Sequence, residues 1–130
     1  MNTIKLKLFL LSFFLQYSIL NSAEIEYSDL EEISISDTMV MVPMRDGVRL
    51  ATDIFRPKEA NEELPLILIK TPYDFNEVGG SSLQWTYQAV KRGYAVAIQN
   101  ERGRYYSEGE WEILGNPRTD GFDALTWFAD

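Results

Sequence analysis

Histidine and cysteine are both absent from the 130 residues. Without histidine this chain alone cannot complete a Ser-His-Asp triad or a histidine-ligated metal site. Without cysteine there is no covalent staple, so the fold must be held by its core. Cations are also scarce, 12 Lys and Arg against 20 Asp and Glu, for a formal charge of −8. Repulsion from phosphate disfavours nucleic acid as a partner, and acids spread along the chain read as a soluble surface. No residue cluster asks for a metal or an organic cofactor. No internal repeat or low-complexity stretch is visible, and the hydrophobic fraction of 45% is that of a globular protein.

The amino terminus is set apart from the rest. Lys5 and Lys7 precede an apolar run, Leu8 to Leu15, broken only by Ser12, and Asn21-Ser22-Ala23 leads into acidic sequence. That is the layout of a secretory signal peptide over residues 1–23, which implies a secreted or periplasmic protein. An uncleaved anchor is the alternative, but the run is short for a span and is interrupted by Gln16. Cleavage would remove two lysines and no acid, taking the charge to about −10. About 107 residues would remain, the size of one small domain.

Residues 24–37 read as an acidic lead-in, mobile through Glu32. Residues 38–130 carry the folded pattern. Met39 to Val42 and Val48 to Phe55 flank Asp46-Gly47, a turn signal, so they form an antiparallel hairpin. Leu64 to Tyr73 is an apolar run that reads as a strand covered on both faces, in the middle of a sheet. Ser81 or Ser82 caps a helix with Leu83, Tyr87 and Val90 inward, ended by Gly93. Tyr94 to Gln99 is the next strand, parallel to the previous one. Pro117 and Asp120 open a last helix with Phe122, Leu125 and Ala129 on one face. The expected class is α/β: an opening hairpin, then strand, helix, strand, helix. With nothing after that helix, the sequence reads as the front portion of a larger domain.

Five stretches, in order, resemble one family. They are Val42 to Pro57, Lys70-Thr71-Pro72-Tyr73, Arg92 to Val96, Gln99 to Gly103 with Ser107-Glu108-Gly109, and Asp120 to Trp127. Together they are similar to the CocE/NonD hydrolases, α/β-hydrolases related to Xaa-Pro dipeptidyl-peptidases, cocaine esterase and α-amino-acid ester hydrolases. The resemblance implies a serine hydrolase of esters or amides working through an acyl-enzyme. It implies that Tyr73 gives its phenol hydroxyl to the oxyanion hole, beside the backbone N–H after the nucleophile. The family's serine elbow follows the helix at Asp120, so serine, acid and histidine are expected beyond residue 130. The 130 residues alone are therefore expected to be inactive.

The substrate implied is a small ester, an amide or a short peptide. An Xaa-Pro dipeptidyl-peptidase, or a non-catalytic secreted remnant used for binding, are the alternatives. Tyr73 also sits past the carboxyl end of a strand, where open α/β sheets bind ligands; position and resemblance together favour the oxyanion role over a packing tyrosine with its hydroxyl in water. Arg102 is expected to hold its loop through carbonyls or an acid such as Asp123. Tyr105, Tyr106 and Trp111 either line an acyl pocket or pack on the sheet. Trp85 and Trp127 are read as core, and Gly79-Gly80-Ser81-Ser82 as a helix-capping loop instead of a nucleophile elbow.

Overall fold

The computed structural model describes residues 25–60, 63–75, 81–113 and 117–129. Residues 1–23, where the signal peptide is expected, Gly79-Gly80 and the side chain of Ser81 lie outside the described residues. In chain order the elements are α1 (Tyr27–Ile33), β1 (Ser34–Pro43), β2 (Arg49–Pro57), β3 (Leu66–Thr71), α2 (Ser81–Lys91), β4 (Ala95–Asn100) and α3 (Pro117–Ala129). The four strands form one mixed sheet in the order β1-β2-β4-β3. β1 pairs antiparallel with β2, β2 antiparallel with β4, and β3 parallel with β4.

The sheet is covered on both faces. On one side Ala51, Phe55, Val96 and Ile98 pack against Leu30 of α1 and Leu83 and Val90 of α2. On the other, Val42, Met44 and Leu50 pack against Ala124 of α3, with Leu68 and Phe128 at the margin. Strand periodicity of two explains the split: residues one apart along β2 and β4 serve opposite layers. α2 ends as its sequence requires. Gly93 takes φ +86°, its N–H reaches the Val90 carbonyl, and the Tyr94 N–H reaches that of Ala89.

Three features differ from the sequence reading. The acidic lead-in is not free: residues 27–33 form a helix, and β1 begins at Ser34. The Glu26 N–H donates to the Asp29 carboxylate at 2.8 Å, closing a capping box. Leu30 is 1% exposed. A seven-residue helix carries too short an apolar stripe to stand out among acids, and tertiary burial stabilises it.

Second, the apolar run at β3 is the outermost strand on its side among the described residues, and its residues are half-buried or exposed instead of covered on both faces. β4 is interior, and all six of its residues are buried. Ala95 and Ala97, both buried there, give a weaker apolar signal than the Leu and Ile of β3. Third, helix residues read as apolar contacts are exposed: Trp85 at 72%, Trp127, and Phe122 and Leu125 of α3, which meets the sheet through Ala124 and Phe128 instead.

A bulge interrupts β1. Thr38 and Met39 stand opposite Asp53 alone, and Met39 has φ +56°. The Met39 N–H donates to the Asp53 carboxylate at 2.7 Å, so the acid supplies the acceptor that the ladder lacks. Burial pushes the Asp53 carboxyl above its usual value of 3.8, and the Met39 bond opposes this. An acid with a raised folded pKa favours the fold at pH below its unfolded value. That contribution is lost as pH rises through the folded value. Asp53→Asn keeps an oxygen for the Met39 N–H and removes the titration. The melting temperature of the variant relative to the unaltered protein should therefore be higher near pH 7 than near pH 3. A difference that does not change with pH in calorimetry would rule out Asp53 as the titrating group.

Candidate active site

The carboxyl end of β3 passes directly into Pro72 and Tyr73, and proline ends the strand because it has no N–H for a further ladder bond. The Tyr73 side chain is 72% exposed at that edge, and its hydroxyl has no hydrogen-bond partner among the described residues. Its backbone, by contrast, is bonded on both sides. The Tyr73 N–H donates to Thr71 Oγ1 at 3.1 Å, and the Tyr73 carbonyl accepts from Asn100 Nδ2 at 2.7 Å. The preceding carbonyl, that of Pro72, accepts from Arg104 Nε at 3.0 Å. The sequence expectation placed Tyr73 at a strand end and missed both side chains that hold it.

Those side chains come from the end of β4 and the loop after it. The Glu101 N–H bonds the Thr71 carbonyl at 2.9 Å, extending the parallel ladder by one residue. The loop then closes on itself, with Ser107 N–H on the Arg104 carbonyl and Gly103 N–H on that of Glu108, each at 2.9 Å. Gly103 is required here. Its φ is +66°, and an added Cβ would stand 2.3 Å from the Trp111 backbone nitrogen. Ser107 is buried, and its hydroxyl accepts the Ala51 N–H and donates to the Asn100 carbonyl, both at 2.9 Å. The Ser-Glu-Gly turn is thus a latch between loop and sheet, with Glu108 also paired to Arg49.

The loop aromatics gather around Arg104. Its guanidinium carbon lies 5.3 Å from the Tyr105 ring centre and 4.9 Å from that of Trp111. Tyr106 packs on buried Phe75 at 5.8 Å between ring centres. Tyr105, Tyr106 and Trp111 all remain exposed, so they flank the Tyr73 segment without forming a closed pocket among the described residues.

Beneath this edge lies a polar layer. Lys70 Nζ donates to Gln99 Oε1 at 2.7 Å, and Gln99 Nε2 donates to Thr52 Oγ1 at 3.0 Å, crossing three strands. Burial lowers the Lys70 pKa, against the pull of Asp120 and Glu101.

Arg102 ties three segments together. It forms a two-point pair with Asp120 of α3, Nη2 to Oδ1 at 2.6 Å and Nε to Oδ2 at 3.1 Å. Its Nη1 reaches Asp46 in the hairpin turn at 2.8 Å. The structural role expected of Arg102 is present, but its partner is not Asp123. Asp123 pairs with Arg45, one turn further along α3. Bonding to Asp120 raises the Arg102 pKa, and Arg102 in turn draws Asp46 below its usual range.

The sequence matches the family described as X-Pro dipeptidyl-peptidase (S15 family) over residues 46–130. A curated relative is the cocaine esterase of Rhodococcus sp. (strain MB1 Bresler). It is 45% identical over 93 residues, which cover 70% of this chain and 16% of that enzyme. Among solved structures, an α-amino acid ester hydrolase aligns at TM-score 0.60 and 33% identity, over 72% of this chain and 18% of its own. An aminopeptidase from the marine sediment archaeon Thaumarchaeota archaeon aligns at 0.59 and 30% identity, also over 72% and 18%. The chain therefore spans less than a fifth of the length of these relatives.

Side chains of Arg102 and Asp120 are 18% and 6% exposed. Arg102→Met removes the cation and leaves the Asp120 carboxylate buried without it. The expected loss is about 3 kcal/mol in urea unfolding. Stability unchanged within error would mean that this pair does not hold the loop.

Proposed function

The chain belongs to the X-Pro dipeptidyl-peptidase (S15) family, and from that premise we propose that the complete protein is an exported serine hydrolase of ester or amide bonds. The observation that carries this reading is Tyr73, an exposed phenol at the carboxyl end of a sheet strand, with the carbonyls on either side of its Cα bonded. A neutral O–H held there suits the oxygen that becomes negative when a serine attacks an acyl carbonyl. The serine Oγ bonds to the carbonyl carbon while a base takes its proton. The C=O pair moves onto oxygen, where Tyr73 donates. The intermediate then collapses, the alcohol or amine leaves with the proton, and an acyl-enzyme remains. Water completes the cycle by the same steps.

The histidine base of this scheme is not among these residues, which contain none, and by the family resemblance the serine and acid are expected beyond residue 130 as well. The outer edge of β3 supports the same reading. It has no partner strand among the described residues, and Ile67 is exposed on it. We read that edge as the seat of a following, nucleophile-bearing strand, because an unpaired apolar edge otherwise invites aggregation. Export rests on the basic and apolar pattern of residues 1–23.

The ester reading rests on the 45% identity to an esterase, and the Xaa-Pro peptide that the family's description names is the alternative. Comparing a p-nitrophenyl ester with an Xaa-Pro p-nitroanilide on the complete protein separates these readings. Turnover of the anilide alone would favour the peptidase. In the complete protein, Tyr73→Phe should lower kcat about 100-fold with little change in KM. An undiminished kcat would remove Tyr73 from the oxyanion hole. Residues 24–130 purified alone should not turn over the ester. Hydrolysis by that piece would contradict the proposal outright.

A further inference from the structure

We infer that Asn100 and Arg104 are positioning residues for the oxyanion donor, acting by fixing the two backbone carbonyls that flank the Tyr73 Cα. This rests on the oxyanion reading of Tyr73 and deepens it.

The Tyr73 ring is 72% exposed, so packing does not set where its hydroxyl points. What sets it is the backbone that launches the Cα–Cβ bond. Both peptide groups at this residue are held. Arg104 Nε fixes the Pro72 carbonyl at 3.0 Å, Asn100 Nδ2 fixes the Tyr73 carbonyl at 2.7 Å, and Thr71 Oγ1 receives the N–H between them. With the Cα–Cβ direction fixed, only two side-chain torsions remain to be selected by substrate. A donor serving a transition state must be closely placed, and the brace removes backbone freedom from that placement, leaving only those two torsions to be set when substrate binds.

Asn100 carries a cost that points the same way. It is 0% exposed, and its Oδ1 has no hydrogen-bond partner among the described residues. An aliphatic side chain in that interior position would leave no such orphan. The amide orientation follows from its surroundings, because Oδ1 turned toward the Tyr73 carbonyl would set two acceptors face to face. What the amide provides is therefore its one bond to Tyr73. Arg104 is supported in turn by the Tyr105 and Trp111 rings, and Trp111 Nε1 is anchored on Glu101 at 3.3 Å. Among the described residues no acid pairs with Arg104, so its guanidinium serves the Pro72 carbonyl and the rings.

The test is a double-mutant cycle on the complete protein with a p-nitrophenyl ester. Asn100→Ala should lower kcat about 10- to 100-fold, with KM within about threefold. In a Tyr73→Phe background the same change should alter kcat less than about twofold, because the group it positions is gone. Should Asn100→Ala fail to fold, the partly exposed Arg104 carries the test. Arg104→Met should behave as Asn100→Ala does, and Arg104→Lys, which keeps a donor within reach of the Pro72 carbonyl, should recover most of the lost kcat. Full additivity with Tyr73→Phe would overturn the inference. So would unchanged kcat in Asn100→Ala and Arg104→Met when Tyr73→Phe is impaired. If Tyr73→Phe alone leaves kcat intact, the oxyanion reading itself fails and this inference falls with it.

Discussion

The contact on which the site depends is the two-point pair between Arg102 and Asp120. Asp120 lies in the first turn of α3, Arg102 in the loop after β4, and Asp46, the second partner, in the opening hairpin turn. Three segments far apart in sequence meet on one guanidinium. A planar fork with five N–H groups can serve two carboxylates at once, which a lysine could not do with the same geometry. Because the pair is mostly shielded from solvent, removing either partner would leave a charge with nothing to answer it. Arg102 is two residues from Asn100 and two from Arg104. The salt bridge therefore holds in place the segment that in turn braces Tyr73.

Much of the fold was legible because it obeys simple periods. The Asp46-Gly47 hairpin, the Leu83 and Val90 stripe of α2, the Gly93 terminus and the parallel β3–β4 pair all follow from local rules. What local rules could not give was order across the sheet. The run at β3 is more hydrophobic than β4, yet β4 sits between two strands. Apolar content alone reported neither face coverage nor position: β3 is half-buried or exposed along its length, whereas all six residues of β4 are buried. The short helix α1 was missed for a related reason. Its burial comes from Phe55, Leu83 and Val90, residues distant in sequence.

The site was legible in one residue and illegible in its support. Tyr73 announces itself as an aromatic hydroxyl just after a proline at a strand end. Asn100 fell just past the strand read as ending at Gln99, although one signal was available. The alternation along Val96 and Ile98 assigns the next position on that face to Asn100, so a polar side chain was due to point inward. A polar group there demands a partner, and the nearest candidate was the backbone after β3. Arg104 gave no comparable clue, because its acceptor is a carbonyl that no sequence pattern names. Arg102 was read correctly as structural but assigned the wrong acid, since Asp120 and Asp123 lie one helical turn apart.

The strand order also bears on how the chain is made. β2 and β3 are consecutive in sequence, but β4 lies between them in the sheet. As the polypeptide leaves the ribosome, β1 and β2 can zip at once, while β3 emerges with no neighbour to receive it. It stays without a ladder until Asn100 has been synthesised, a wait of roughly 2–6 s at ordinary elongation speed. During that interval the most aliphatic strand of the domain is bare, which makes it a natural landing place for a chaperone.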